Sequence, residues 1–454
     1  MNEEISEKNK TAKLQNLPEG WKWARLAEVV EESLSGEWGE DPTLNNSLYP
    51  VISTLAIDYE GNINFAELVL RKLNKRKLKK LLLRKNDILL EKSGGSSDKP
   101  AGKVALVKKP FEGTCSNFIQ IIRVKKKYSP VFVFYKMFSD FAFRKTEKFQ
   151  QKTTGIINFK INEYFSEMVP LPPLPEQQKI AEILETVDSA IDKTDQIIEK
   201  YKRIKQGLMQ ELLTKGIDEN GKIRDEKTHH FKASPLGRIP EEWKVTRLGE
   251  IASKEKYSFV DGPFGSNLKT VHYTTSGILV IQSNYFTKGK FNVINPTFTT
   301  EEKANELLRS NTKPSDIVIA KIGANYGAVA IIPETITRAV LSGNTMKITL
   351  DKNIANNVYV CFYLGYFKET DKINRILAAG SAQPALSLYG YKNLKIPLPP
   401  LPEQQRIAAI LSQIDEVIEK ETQYRDKLKR LKAGLMQDLL TGKVRVNKLI
   451  KQGA

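Results

Sequence analysis

The sequence predicts an α+β chain: two mixed α/β domains in pseudo-twofold arrangement, joined by two long antiparallel helices that form an intramolecular coiled coil. Three observations carry this expectation. Residues 170–184, PLPPLPEQQKIAEIL, return at 397–411 as PLPPLPEQQRIAAIL, 227 positions later. The repeat continues without a gap from Pro170 to Thr214, with 28 of 45 residues identical. Upstream of each copy lies a longer, diverged stretch of short β-like runs and Gly/Asn/Ser loops.

The diverged stretches still match in places. LPEGWKWARLAEV at 17–29 corresponds to IPEEWKVTRLGEI at 239–251, and NDILLEKSG at 86–94 to SDIVIAKIG at 315–323. The division that follows is a flexible N-terminal tail (1–16), a first domain (17–169), a central helix (170–215), a linker (216–238), a second domain (239–396), a distal helix (397–443) and a C-terminal tail (444–454). Within the domains, 103–107, 118–124, 316–320 and 328–332 read as strands, and about 130–148 and 355–376 as helices. The polar stretch 216–238, GIDENGKIRDEKTHHFKASPLGR, has linker composition.

PLPPLP cannot be helical, because each proline disfavours helix in the residue before it. Pro175 and Pro402 suit a first helical position, and Glu176 and Glu403 lie where the helix dipole favours an anion. The motif is therefore a stiff strap ending in a sharp helix start, with helices expected over Glu176–Leu213 and Glu403–Leu440. At ~1.5 Å per residue each is roughly 57 Å long. A seven-residue template places Ile180, Leu184, Val187, Ile191 and Leu208 on one seam of the first helix. It places Ile407, Leu411, Ile414, Ile418 and Leu435 on the seam of the second. Glu421, Arg425 and Lys432 break the second pattern, so the seam is expected to shift onto Tyr424 and Leu431. Gly207 and Gly434 each cost about 1 kcal/mol in a helix interior, and their shared position points to close approach of another backbone.

Composition bounds the function. The net charge is +18, from 71 basic and 53 acidic residues, which suggests a polyanionic partner. No apolar run approaches the ~18 residues of a membrane span, and the polar start MNEEISEKNK does not read as a signal peptide. With only Cys115 and Cys361, a disulfide framework is not expected and a reducing, cytoplasmic setting is.

The motifs of catalysis are missing. There is no phosphate-binding Gly-x4-Gly-Lys-Ser/Thr loop, and His229, His230 and His272 have no metal-site spacing. Asp87-x3-Glu91-Lys92 resembles a nuclease cluster, yet the second copy has Ala320 at the glutamate position. Asn295-Pro-Thr-Phe298 is one residue from an amino-methyltransferase loop but follows no cofactor-binding glycine turn, so a loop leading into the helix TTEEKANELLR is the better reading. No catalytic and no metal-binding residue is assigned.

Binding is the better-supported chemistry. RKLNKRKLKKLLLRK at 71–85 holds nine basic residues and no acid. Read as a helix, it sets Leu73, Leu78, Leu81 and Leu82 apart from a cationic face suited to phosphate. The loop KSGGSSDKPAGK at 92–103 and its counterpart KIGANYG at 321–327 join glycine to polar side chains that can meet base edges or phosphates. The candidate nucleic-acid residues are Lys75, Lys79, Lys92, Lys99, Lys103, Lys152, Lys269 and Lys321 for phosphate. For base edges they are Ser93, Ser96, Thr154, Asn325, Tyr326 and Gln383.

The doubled PLPPLPEQQ-[KR]-IA-x-IL, each followed by KxGLMQ-[ED]-LLT, and THHFKASPLGRIPEEW at 228–243 closely resemble the specificity (S) subunit of Type I restriction–modification systems. GPFGS-x-LK at 262–269 and GSAQPALS at 380–387 are similar to its target-recognition domains. The first copy departs, with SGEWGEDP at 35–42 and TTGIINFK at 153–160, so the two domains look like different subtypes. The resemblance implies a non-catalytic subunit whose two domains each read half of a split, asymmetric double-stranded DNA target. It implies that the two helices hold the readers apart and dock two methyltransferase (M) subunits. Those would carry S-adenosylmethionine, and restriction (R) subunits would bring ATP and Mg. This chain is expected to hold no cofactor and to contact no membrane. The alternatives are an S-like module of another methylation-based anti-phage system and a non-catalytic coiled-coil scaffold.

Overall fold

The computed structural model of the chain describes residues 17–42, 48–95, 100–153, 156–287, 289–323, 325–370 and 387–450. They fall into two compact units: unit one is Met1–Asp195 with Thr422–Ala454, and unit two is Gln196–Glu421.

Unit one is built on four antiparallel strands, β1 (Val30–Ser35), β2 (Ile88–Glu91), β3 (Val104–Leu106) and β4 (Ile119–Val124), ordered β1-β4-β2-β3. The apolar run of β2 is buried throughout, whereas β1 lies at the edge and exposes its glutamates. Helix α1 (Lys75–Leu81) is only the centre of the basic run 71–85, because Asn74 caps it and Lys72 ends the preceding strand. Leu73 and Leu78 bury against Val51, while Lys75, Arg76, Lys79 and Lys80 are exposed. Helix α2 (Pro130–Ala142) starts at a Ser129 cap with proline in its first turn and lays its aromatic face on the sheet. It stops short of the expected residue 148, since Arg144 takes a positive φ and a 3₁₀ turn, Glu147–Phe149, follows.

Unit two repeats this plan. Its strands β5 (Phe259–Asp261), β6 (Ile317–Ala320), β7 (Val329–Ile331) and β8 (Thr345–Ile348) take the order β5-β8-β6-β7, again antiparallel. In each unit a further strand pair closes the domain: Lys22–Arg25 with Met168–Leu171, and Lys244–Arg247 with Lys395–Leu398. The opening Pro-Leu of each PLPPLP thus belongs to a strand, and the strap leaves the sheet for the helix.

The long helices are α3 (Leu174–Leu212) and, after α4 (Asn357–Glu369), α5 (Leu401–Leu439). Each begins two residues before the expected glutamate and ends one residue early. Pro175 and Pro402 take second helical positions, where no backbone donor is missed. In unit one, Ile180 and Leu184 are buried with Met436, Leu439 and Leu440, and Val187 and Ile191 pack with Leu428 and Leu435. In unit two, Ile407 and Leu411 pack with Leu208, Met209 and Leu212, and Ile414 and Ile418 are half-buried. In both units the early part of one helix meets the late part of the other, so they pair antiparallel.

Four expectations are corrected. The seam does not move to Tyr424 and Leu431, which are 52% and 50% exposed. Arg425 and Lys432 stay on it because acids of the other helix receive them: Asp195 at 3.4 Å and Asp188 at 2.6 Å. No backbone approaches Gly207 or Gly434, where a Cβ would meet nothing within 4 Å among the described residues. The stretch 216–238 is not a free linker. It buries Ile217 and Arg224 and forms a hairpin from Phe231–Ser234 and Gly237–Pro240. The C-terminal stretch is folded as far as residue 450, with Val446 buried and Arg445 engaged. Residues 1–16, expected as a tail, lie outside the described residues.

Candidate nucleic-acid interface

The repeated Glu-Gln pair fixes each domain to its helix. In unit one, Gln177 accepts the backbone N–H of Ser129, the cap of α2, at 2.9 Å and donates to the carbonyl of Pro172 at 2.8 Å. In unit two, Gln404 accepts from Asn356 N, the cap of α4, at 2.8 Å and donates to Pro399 O at 2.8 Å. One glutamine side chain therefore ties the strap to the domain's main helix.

The preceding glutamate is the second tie. Glu176 accepts from Trp21 Nε1 at 3.0 Å, from Arg445 Nε and Nη2 at 2.8 and 2.9 Å, and from Val446 N. Glu403 accepts from Trp243 Nε1 at 3.1 Å, from Arg224 Nη1 and Nη2 at 2.5 and 3.1 Å, and from Ile217 N. Burial would raise the Glu176 carboxyl, but its bonds from Arg445 and Trp21 outweigh that and hold it below the usual range. Of these residues only Glu176 with Gln177, and Glu403 with Gln404, lie in the ungapped sequence repeat; their tryptophan and arginine partners lie outside it.

The loops that differ between the units lie elsewhere, at one end of each main sheet. In unit one this end gathers the turn after β1, the residues following β2, the start of β3 and the turn before β4. Gly36 lets the chain pass against the carbonyls of Cys115 and Ser116, where a Cβ would lie 2.2 and 2.4 Å away. Lys92 donates to Ser35 Oγ at 2.7 Å, and Ser93 Oγ donates to Asn158 Oδ1 at 2.7 Å. Burial lowers the Lys92 ammonium from its ordinary value. Lys77 reaches Glu37 at 3.3 Å, so basic helix α1 lies beside this end, with Lys75 and Lys79 exposed. A groove of mixed character opens nearby, with Ser33, Lys92, Gln120, Gln151, Lys160 and Asn162 on its wall beside Phe159, Ile161, Phe165 and Glu163. Lys152 is exposed on the strand Gln150–Thr153.

In unit two the same end is formed by the turn after β5, the β6–β7 loop and the turn before β8. Gly262 repeats the Gly36 contact, with a Cβ position 1.9 Å from Ser342 O. Lys321 pairs with Asp261 at 3.2 Å, and Lys269 is exposed. Tyr326 packs against the unit's core, and Asn325 is half-buried, its carbonyl bonding Ala328 N.

Lys103 is a correction. It is buried, donates to the carbonyls of Thr54 and Ile57 at 2.7 and 2.8 Å, and lies 3.7 Å from Glu91. Its charge is spent inside unit one, so it is not free for phosphate. Ser96, Lys99, Thr154 and Gln383 lie outside the described residues. Gln120 and Gln151 lie within strands and Asn162 in the short helix Ile161–Phe165, so none stands on the glycine-bearing loops from which the sequence reading drew its base-edge candidates. The doubled EQQ marked Glu176 and Gln177 but not their partners.

Asp87 and Glu91 stand at opposite ends of β2 and do not converge. Asp87 bonds Arg123 and Glu91 pairs with Lys103. Among the described residues no group of three or more His, Cys, Asp or Glu is placed to hold a metal ion. No helix among them is long and apolar enough to cross a membrane.

The model for the Type I restriction modification DNA specificity domain matches twice, at residues 18–203 and 240–430, most of the chain. The chain belongs to the Type I specificity family. Among its relatives is the Type I restriction enzyme MjaVIII specificity subunit of Methanocaldococcus jannaschii, 28% identical over 443 residues, covering 95% of each chain. The Type I restriction enzyme EcoBI specificity subunit of Escherichia coli is 25% identical over 54% of this chain and 51% of its own length. The fold is that of a Type I restriction–modification S subunit from M. genitalium, with TM-score 0.58, 17% identity, and coverage of 94% of this chain and 97% of the other. The two family matches follow the two copies of the repeat, each spanning one mixed α/β domain and most of the long helix after it, whereas each compact unit also takes in part of the other helix.

Proposed function

We propose that this chain is the DNA-reading subunit of a Type I restriction–modification complex, with each unit reading one half of a split, asymmetric target. The observation that carries the reading is the contrast between the ties and the loops. Trp-Glu-Arg and Gln bonds recur in both units, while the sheet-end loops carry different residues. Two equal mounts with unequal reading ends suit two unlike half-sites. Base edges would be met by polar groups at or beside the sheet ends such as Ser93, Gln120, Gln151 and Asn325, and phosphate by Lys75, Lys79, Lys152 and Lys269.

The helices offer matched surfaces for a partner present twice. In unit two Ile197 and Ile204 are exposed, and Gly207 leaves open space one turn on. In unit one Tyr424, Leu431 and Gly434 stand at the equivalent positions, 227 residues later, with Tyr424 and Leu431 more exposed still. A helix from one methyltransferase subunit on each patch would cover the apolar pair. S-adenosylmethionine would belong to those subunits, and ATP and Mg to restriction subunits. Methylation mapping in cells expressing the chain with its methyltransferase partner tests the proposal: a two-part, non-palindromic motif is expected, and a single continuous palindrome would refute it.

A further inference from the structure

We infer that unit two inserts the Phe264 side chain into a base step of the half-site it reads, and that Trp38, at the equivalent place in unit one, makes no such insertion. The inference rests on the reading of this chain as a DNA specificity subunit and adds a distortion of the DNA to it.

The two units share one turn. Gly36 donates to Ile119 O at 3.1 Å, and Gly262 to Thr345 O at 2.9 Å. Both glycines press on the carbonyl of a serine, Ser116 or Ser342, where no Cβ fits. Two residues on stands an aromatic ring, Trp38 in unit one and Phe264 in unit two. The rings have opposite fates. Trp38 lies under the Arg71 guanidinium, 4.6 Å from its centroid, and packs on Val51, Leu73 and Leu78. Phe264 is 78% exposed.

The exposure is built in. The Gly262 contact anchors one side of the turn, and Leu268, buried with Val280, Ala304, Leu307 and Val340, anchors the other. Asn267 N donates to Phe264 O at 2.8 Å and closes the turn between them. The ring is thus held out on a tip whose other residues, Gly265, Ser266 and Asn267, are exposed, small or polar. Lys269 follows on the same loop, and Lys321 is held at Asp261, the last residue of β5 before the turn. An exposed apolar ring beside hydrogen-bonding and cationic groups, with the exposed Val271 following Lys269, is the composition of a wedge that unstacks a base step while its neighbours hold the backbone. The tip belongs to the sheet end assigned to reading.

The test uses the full chain assembled with its methyltransferase partner, and duplexes carrying 2-aminopurine at successive positions of both half-sites. Beyond the base flipping that a methyltransferase subunit produces in each half-site, the wild-type complex should raise fluorescence at one further step of the half-site read by unit two. Phe264→Ala should abolish that signal and bind the specific duplex roughly 5- to 100-fold more weakly. Phe264→Trp should keep the signal. The side chain supports no core, so the alanine variant should fold and bind its partner normally. If Phe264→Ala keeps wild-type affinity and fluorescence while the complex still discriminates its target, the wedge is wrong and the specificity reading stands. Loss of partner binding in Phe264→Ala with DNA binding intact would assign the ring to a protein interface and overturn the inference. If the wild-type complex does not discriminate target from non-target duplexes, the specificity reading fails and the wedge falls with it.

Discussion

Glu176 and Glu403 look alike in sequence, but their arginines differ in burial. The Arg224 side chain is 9% exposed and that of Arg445 is 26%. Removing one partner of a buried pair leaves an uncompensated charge, so Glu403→Gln should lower the stability of unit two by roughly 3 kcal/mol. Glu176→Gln should cost unit one less, because water reaches Arg445. Urea unfolding of the two variants compares them, and equal losses would contradict the argument. The lowered Glu176 carboxyl also sets a pH dependence. Its contribution is complete above the range where an unfolded glutamate titrates, about pH 4.3, and is lost as pH falls through the lower folded value. Glu176→Gln should therefore flatten the acid limb of unit one's stability profile. Lysines separate in the same way. Lys79→Ala should weaken binding to all duplexes alike and reduce the salt slope by about one. Lys103→Ala should destabilise unit one and leave the slope unchanged, because its ammonium serves Thr54, Ile57 and Glu91. Binding across a salt series beside thermal unfolding distinguishes the two.

At the scale of elements, the helix seam carries the same polar pair twice. Lys205 bonds Asp415 at 2.7 and 2.8 Å in unit two, and Lys432 meets Asp188 at 2.6 Å in unit one, every residue displaced by 227. The lysines also lie over aromatic rings of the domain helices, Phe362 and Phe138. Asp415 keeps some solvent contact, so Lys205→Met alone should cost only about 1 kcal/mol, and adding Asp415→Leu should recover most of it. A double-mutant cycle reads the coupling, and additive losses would mean that the pair is incidental. On the outward face, Ile197→Lys with Ile204→Glu should remove one methyltransferase subunit per chain and leave the other. Mass measurement of the assembled complex counts them, and an unchanged count would place docking elsewhere. These pairs also show what the sequence could tell. Strands such as Ile119–Val124 and Ile317–Ala320, and both long helices, were legible because local apolar patterning decides them. The seam was misread at Arg425 and Lys432 because their acidic partners lie more than 200 residues away, beyond any periodicity. The stretch 216–238 read as a linker for the same reason: Arg224 looks like a solvated cation until Glu403 is brought to it by the fold.

At the scale of the whole molecule, the chain uses one plan twice, with the ties kept and the sheet-end loops changed. The strand order of the sheets and the gathering of their loops at one end were not readable from the repeat, since register depends on pairing between distant strands. Of the candidate residues, the exposure of Lys75, Lys79, Lys152 and Lys269 follows from their charge, while the groove at Gln120, Gln151 and Asn162 required the fold. If each unit reads independently, exchange of one reader should be modular. The most direct measurement is methylation mapping of cells in which residues 17–169 are replaced by the equivalent domain of a relative with a different target, with 170–454 unchanged. The account predicts that one half of the methylated motif changes and the other half stays as it was. A change in both halves, or in neither, would contradict it.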